Sequence, residues 1–185
     1  MSVLVLLLAV VLLLAAWAVV LYNGLVRARN MAAEGLAGID VQLTRRAELI
    51  PNVVETVKGY AAHEKELFTR VTDLRAASQR AATTGERLAA EGLLSGALGT
   101  LLAVAESYPD LKASQNFLDL SRTLADTEEQ LQLARRYYNG AARNLNIKVE
   151  SFPSALIAGP FGFTRAPFFE VEEPAKRQAP TVDFG

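Results

Sequence analysis

The sequence has no cysteine. That excludes disulfides, thiolate metal sites, a lipid-modified cysteine and a cysteine nucleophile, and it leaves the redox compartment open. It has one histidine, His63. His63-Glu64 invites comparison with a zinc-protease helix, but the position four residues on is Leu67, where a second histidine is needed. A di-iron bundle needs two Glu-x-x-His pairs, and a single histidine cannot supply both. A nucleophile elbow, a phosphate-binding glycine loop and a dinucleotide fingerprint are all missing. No enzyme activity, no cofactor and no metal site are therefore expected. Neither sign of charge dominates, since the formal net charge is −1. The chain has no global field to attract nucleic acid, and no nucleic-acid partner is expected. Strand-like alternation is absent too.

Charge is also missing from Met1 to Val26, the first charged side chain being Arg27. Val3 to Leu21 is wholly apolar. As a helix this run is roughly 28 Å long, close to a hydrocarbon core of about 30 Å. A helix satisfies its own backbone hydrogen bonds, as lipid demands. Trp17 and Tyr22 suit the headgroup region at its end. Two other readings exist. Ala16-Trp17-Ala18 has the form of a signal-peptide cleavage site, but no Lys or Arg precedes the run as a basic n-region would. A core helix would show a polar face, and none is seen. A retained single-pass anchor is the expectation. Arg27 and Arg29 follow it, with Arg45 and Arg46 further on, so the positive-inside bias places the domain in the cytoplasm and the N-terminus outside.

The spacing behind the anchor predicts four helical segments. In the first, about Tyr22 to Leu49, Leu36, Ile39, Leu43 and Ile50 share one face. Pro51 either starts a new helix or kinks a continuous one. Unbroken heptad phase favours the kink, and the usual length of bundle helices favours a turn, which is slightly preferred. The second segment, about Asn52 to Ala82, buries Val53, Val57, Tyr60, Leu67, Val71 and Leu74, with Arg46 and Glu64 as polar exceptions to the phase. Thr83-Thr84-Gly85 breaks the pattern. The third, about Glu86 to Ser107, presents Leu94, Leu98, Leu101 and Ala105 on one face. Its Gly92, Gly96 and Gly99 suggest close backbone approach. Tyr108-Pro109-Asp110 ends it. The fourth, about Leu111 to Glu150, places Phe117, Leu124, Leu131, Tyr138, Leu145 and Phe152 at strict sevens, the mark of bundle or coiled-coil packing. The expected fold is all-α, an N-terminal transmembrane helix followed by an antiparallel four-helix bundle.

Pro153 begins a different composition. Gly159-Pro160, Gly162 and Pro167 rule out a regular helix, yet Phe161, Phe163, Phe168 and Phe169 call for burial. This stretch is expected to fold back on the bundle or lie at the membrane face. The domain expectation is thus residues 1–22 as anchor, 23–152 as helical bundle, 153–173 as an irregular aromatic segment, and 174–185 as a disordered tail.

Certain polar residues stand out near the helix seams. Asn139 and Asn146 lie one heptad apart on one face, and Tyr138-Asn139 repeats the Tyr22-Asn23 dipeptide. Arg45, Arg46, Glu48, Glu55 and Lys58 cluster around Pro51, and Arg135-Arg136 precede the second Tyr-Asn pair. They suit either a ligand- or partner-binding patch or register-fixing hydrogen bonds and ion pairs, the latter being favoured.

Several blocks then fall in order. They are Tyr22-Asn23-Gly24-Leu25-Val26-Arg27; Ile39-Asp40-Val41-Gln42-Leu43 with Arg45-Arg46; the stretch from Leu49-Ile50-Pro51-Asn52 to Gly59-Tyr60; Ala105 to Lys112 around Tyr108-Pro109; Ala134-Arg135-Arg136-Tyr137-Tyr138-Asn139; and Ser151-Phe152-Pro153. Over about residues 20–170 the sequence resembles the LemA family. The resemblance implies a bacterial single-span membrane protein with a four-helix cytoplasmic or envelope-facing bundle. It implies no established activity, cofactor, substrate or catalytic residue. Asn23, Arg45, Arg46, Pro51, Asn52, Tyr60, Tyr108, Pro109, Arg135, Tyr138, Asn139 and Asn146 are the candidate structural or interaction positions. The expected function is a membrane-tethered interaction or scaffold protein, whose partners are the membrane, an unidentified protein or a second copy of the chain. A small-ligand or lipid sensor is the alternative.

Overall fold

Helix-forming residues dominate the chain, and in the computed structural model, which describes residues 2–169, they form helices linked by short turns. These are α1 (Ser2–Lys58), α2 (Lys65–Arg80), α3 (Thr84–Glu106), α4 (Pro109–Lys112), α5 (Gln115–Glu150) and α6 (Ala155–Ala158). No strand occurs among the described residues, so the fold is all-α. The expected tail, 174–185, and the last residues of the expected aromatic segment, 170–173, lie outside the described residues.

The 57-residue α1 continues past Pro51 to Lys58. This corrects the preference for a turn. A proline inside a helix removes one N–H and leaves the carbonyl four residues back without its donor. That carbonyl belongs to Ala47, and the Arg75 guanidinium on α2 donates to it at 2.6 Å. A side chain from another helix thus takes the role of the missing amide. Arg75→Met is expected to cost about 1–3 kcal/mol, because the Ala47 carbonyl then loses its partner. In a Pro51→Ala background the restored amide should reduce that cost sharply. Equal costs in both backgrounds, measured by denaturant unfolding, would contradict the account.

The break falls instead after Lys58, at Gly59-Tyr60. Tyr60 is therefore 47% exposed rather than buried, and His63 sits in the turn rather than on a helix face. The next connection carries a capping box. The Thr83 hydroxyl accepts from the Glu86 amide at 3.2 Å, and the Glu86 carboxylate accepts from the Thr83 amide at 3.2 Å.

The chain divides into two compact units. One spans Thr44–Thr127. Its core joins Ile50, Val53 and Val57 of α1 to Val71 of α2, Leu101 of α3 and Phe117 of α5. Helix α3 is long and apolar enough to cross a membrane by composition. Leu94, Leu98 and Leu101 nevertheless face this core, so one face of α3 packs inside the unit. Gly96 and Gly99 have open space where a Cβ would be, so they do not serve the close approach expected of them.

The other unit joins the chain up to Leu43 with Glu128–Phe169. Here Ala28 and Ala32 of α1 pack on Ala141 and Leu145 of α5. Gly24 lies near Lys148 and Gly35 near Tyr138, so the two helices run antiparallel. Close approach is required at Gly35, where a Cβ would stand 2.9 Å from the Tyr138 Cα. The large apolar side chains from Val3 to Val20 are exposed throughout. Burying a Val or Leu is worth roughly 1.5–3 kcal/mol, so this run makes α1 a candidate membrane-spanning helix. The heptad row of α5 is buried from Phe117 to Leu145 but ends there. Phe152, expected to continue it, is 79% exposed just past the helix end.

Candidate functional site

Polar side chains gather at two places, one in each unit. In the Thr44–Thr127 unit the expected cluster around Pro51 does not form. Arg45, Glu48, Glu55 and Lys58 are exposed, and among the described residues a Lys58–Glu55 pair at 3.2 Å is the one ion pair that links any of them. Arg46 leaves the group and is fully buried, 0% exposed. Its guanidinium pairs with Glu91 of α3, itself 2% exposed, and donates to the Ser95 hydroxyl at 2.8 Å. The Ser78 hydroxyl of α2 donates to the other Glu91 oxygen. Three helices thus meet at one buried carboxylate. A desolvated pair of this kind contributes little net stability while intact, and losing one partner is costly. Its best-attested use is to fix which helices pack together and in what register.

The second site lies in the other unit and holds the segment after Pro153. Asn146 binds one backbone residue through both ends of its amide: Nδ2 donates to the Ala166 carbonyl at 2.9 Å, and Oδ1 accepts from the Ala166 amide at 2.8 Å. Asn139 treats Phe169 the same way, at 3.1 and 2.8 Å. Between them the Tyr138 hydroxyl donates to the Pro167 carbonyl at 2.7 Å. Two turns of α5 therefore act as a polar strip that an extended chain can pair with, although no strand is present. Only side chains that carry a donor and an acceptor side by side, such as asparagine, can do this.

Aromatic contacts complete the hold. Phe169 stands edge-on to Tyr138, with ring centroids 6.5 Å apart, and the Arg135 guanidinium lies 5.3 Å from its ring centroid. Phe163 is buried against Tyr22, and Arg29 lies over its ring. Phe161 also stacks edge-on to Tyr22 at 5.1 Å. Burial raises the Tyr138 phenol above its ordinary value of 10.0. It remains a neutral donor wherever the protein is folded near neutral pH.

The candidate positions thus sort as follows. Arg135, Tyr138, Asn139 and Asn146 come together around residues 166–169, and Arg46 enters the buried pair. Tyr108 and Pro109 shape the corner into α4, where Tyr108 packs on the core and proline takes the first helical position. Asn52 is exposed, its carbonyl accepting from the Thr56 hydroxyl, while Asn23, Arg45, Pro51 and Tyr60 are exposed as well. Asparagine function is a correction of detail: these side chains bind a returning segment of backbone rather than a neighbouring helix. Sequence reasoning missed Glu91, Ser78, Ser95 and Arg75. A signal for Glu91 existed, since it precedes Leu94 and Leu98 on their own helix face.

A family model described as the LemA family matches residues 35–184. The chain belongs to the LemA family. The blocks quoted above touch both sites: the one ending in Arg45-Arg46 supplies the buried Arg46, and the Ala134–Asn139 block supplies three of the clamp residues. Among relatives, the protein is 27% identical over 180 residues to magnetosome protein MamQ 2 of Paramagnetospirillum magneticum. It is 26% identical over 180 residues to magnetosome protein MamQ of Magnetospirillum gryphiswaldense. Each alignment covers 83% of this chain and 66% of the relative, so the chain spans just under two thirds of their length. Protein LemA of Metamycoplasma hominis is 24% identical over 152 residues, which is 82% of this chain and 69% of that protein.

Proposed function

We propose that this LemA-family protein is a membrane-tethered interaction protein that works by contact rather than by catalysis. The observation that carries the reading is the row of exposed large apolar side chains from Val3 to Val20, part of the same α1 that supplies Ile50, Val53 and Val57 to a helical core. In this reading residues 1–22 anchor the chain, 23–152 form the helical domain, and 153–173 are an aromatic segment, whose residues 166–169 are held to α5.

Arg27 and Arg29 beyond the span support a cytoplasmic domain. Arg46 no longer counts toward that bias, because Glu91 neutralises it inside the core. Self-association through the α5 heptad row is not the route, since that row is consumed within the chain. Leu133 and Tyr137, four residues apart and exposed, offer an apolar row for a second copy or a protein partner. The matched relatives' names state a cellular structure or the family itself, and no reaction is taken from them.

A photo-crosslinking residue at Tyr137 or Leu133, in native membranes, tests the reading. The expected result is a discrete adduct at either position, with a second copy or with one protein, and none from exposed Thr100 on α3. Intact, membrane-bound protein that gives no adduct at either position would contradict it.

A further inference from the structure

The antiparallel pair of α1 and α5 leaves a groove of about 640 Å³ beside the end of the apolar stretch. Val20 and Leu21 form its apolar end, while Arg27 of α1 and Lys148 of α5 supply two cations. Asn23 and Asn144 add amide groups, and no carboxylate lines it. Neither Arg27 nor Lys148 has an ion-pair partner among the described residues. Gly24 leaves room for the ammonium: a Cβ at that position would stand 3.3 Å from the Lys148 Nζ.

Depth along α1 decides what these cations face. Leu21 ends the apolar run, and Arg27 lies six residues on, roughly 9 Å along a helix. The headgroup layer on each side of a bilayer is about 5–8 Å thick. Lys148, beside Gly24 only three residues past Leu21, therefore stands at the level of lipid phosphates, and the Arg27 side chain, just beyond it, reaches that level by leaning toward the interface. Aromatic and aliphatic groups mark the same level. Phe161 touches Tyr22 at the end of the span and is exposed, and Phe152 and Leu156, also exposed, lie two residues either side of Ser154, which lines the groove.

We propose that this groove binds one anionic glycerophospholipid. Its phosphate sits between Arg27 and Lys148, the amides of Asn23 and Asn144 bind the polar headgroup, and its acyl chains run along Val20 and Leu21 into the bilayer. A free phosphate or small anion would use the cations and leave the apolar end uncovered, so the lipid is the better match. The inference rests on the proposed membrane anchoring for its depth argument. Its test is done in detergent, so loss of lipid binding and loss of anchoring are read separately.

The full chain in neutral detergent is titrated with phosphatidylglycerol, phosphatidylcholine or inorganic phosphate, and retained ligand is read by native mass spectrometry and thermal shift. One phosphatidylglycerol per chain is expected, with phosphatidylcholine and phosphate much weaker. The Arg27→Gln/Lys148→Gln double variant should lose about thirtyfold in phosphatidylglycerol affinity, as expected for two basic side chains at an anionic surface. Its unliganded melting temperature should match the parent, since neither cation is buried. An Arg45→Gln/Arg143→Gln variant, exposed elsewhere, should bind as the parent does. Undiminished phosphatidylglycerol binding by the first variant, equal binding of phosphatidylcholine, or equal binding of inorganic phosphate would each overturn the proposal.

Discussion

Arg46→Met should destabilise the protein by about 3–5 kcal/mol, because it leaves the Glu91 carboxylate buried with a hydroxyl as its only retained partner. Glu91→Leu should cost a comparable amount, because the buried guanidinium then loses its neutralising carboxylate. The double variant Arg46→Met/Glu91→Leu should recover most of that loss, since the desolvation penalty disappears with both charges. Methionine and leucine suit the site because Leu94 and Leu98 already line the same face of α3. Denaturant unfolding of the four proteins gives the coupling energy directly. If the pair serves specificity, the double variant should also show broader amide resonances or faster hydrogen exchange in α2 and α3 than the parent. A double variant as unstable as either single one would refute the buried-pair account.

Asn139→Leu/Asn146→Leu should release residues 166–169 from α5. Four hydrogen bonds to backbone are lost, for a net cost of about 3 kcal/mol after the leucines recover some apolar contact. Trypsin reads this locally. The Arg165–Ala166 bond follows an exposed arginine, and Ala166 is held by Asn146 at both its amide and its carbonyl. Cleavage from the transiently open state should accelerate by about a hundredfold for a loss of that size. An unchanged cleavage rate would contradict the clamp. The hold should also weaken at high pH. In the unfolded chain the Tyr138 phenol ionises near its ordinary value, whereas burial raises it in the folded protein. Its contribution is therefore complete below about pH 10 and declines as pH rises through the raised value. Tyr138→Phe should remove that dependence.

Local periodicity made the helices legible. The α5 row from Phe117 to Leu145 and the core face of α3 are buried as their spacing implies, and α1 holds the apolar stretch with its aromatic end at Tyr22. What escaped the sequence depends on partners distant along the chain. Pro51 reads as a break when only its own helix is considered, but Arg75 lies 28 residues away from the carbonyl it satisfies. Asn139 and Asn146 are visibly on one face. Their partners are not, because an extended segment that binds through its backbone leaves no side-chain pattern. Arg46 was visible as a polar exception in an apolar phase, and Glu91 carried the same signal 45 residues later. Two such exceptions on facing helices are a reason to look for a buried pair.

The account depends most on α1 placing Val3 to Val20 in lipid, and the absence of native cysteine makes that directly measurable. Single cysteines are introduced at Leu12, inside the stretch, and at Glu48, exposed beyond it, and membranes are treated with a water-soluble maleimide. Glu48→Cys should react once the reagent reaches its side of the membrane, while Leu12→Cys should stay unreactive until the membrane is dissolved and the protein unfolded. Labelling of Leu12→Cys in intact membranes at the rate of Glu48→Cys, or extraction of the protein by alkaline carbonate, would contradict it.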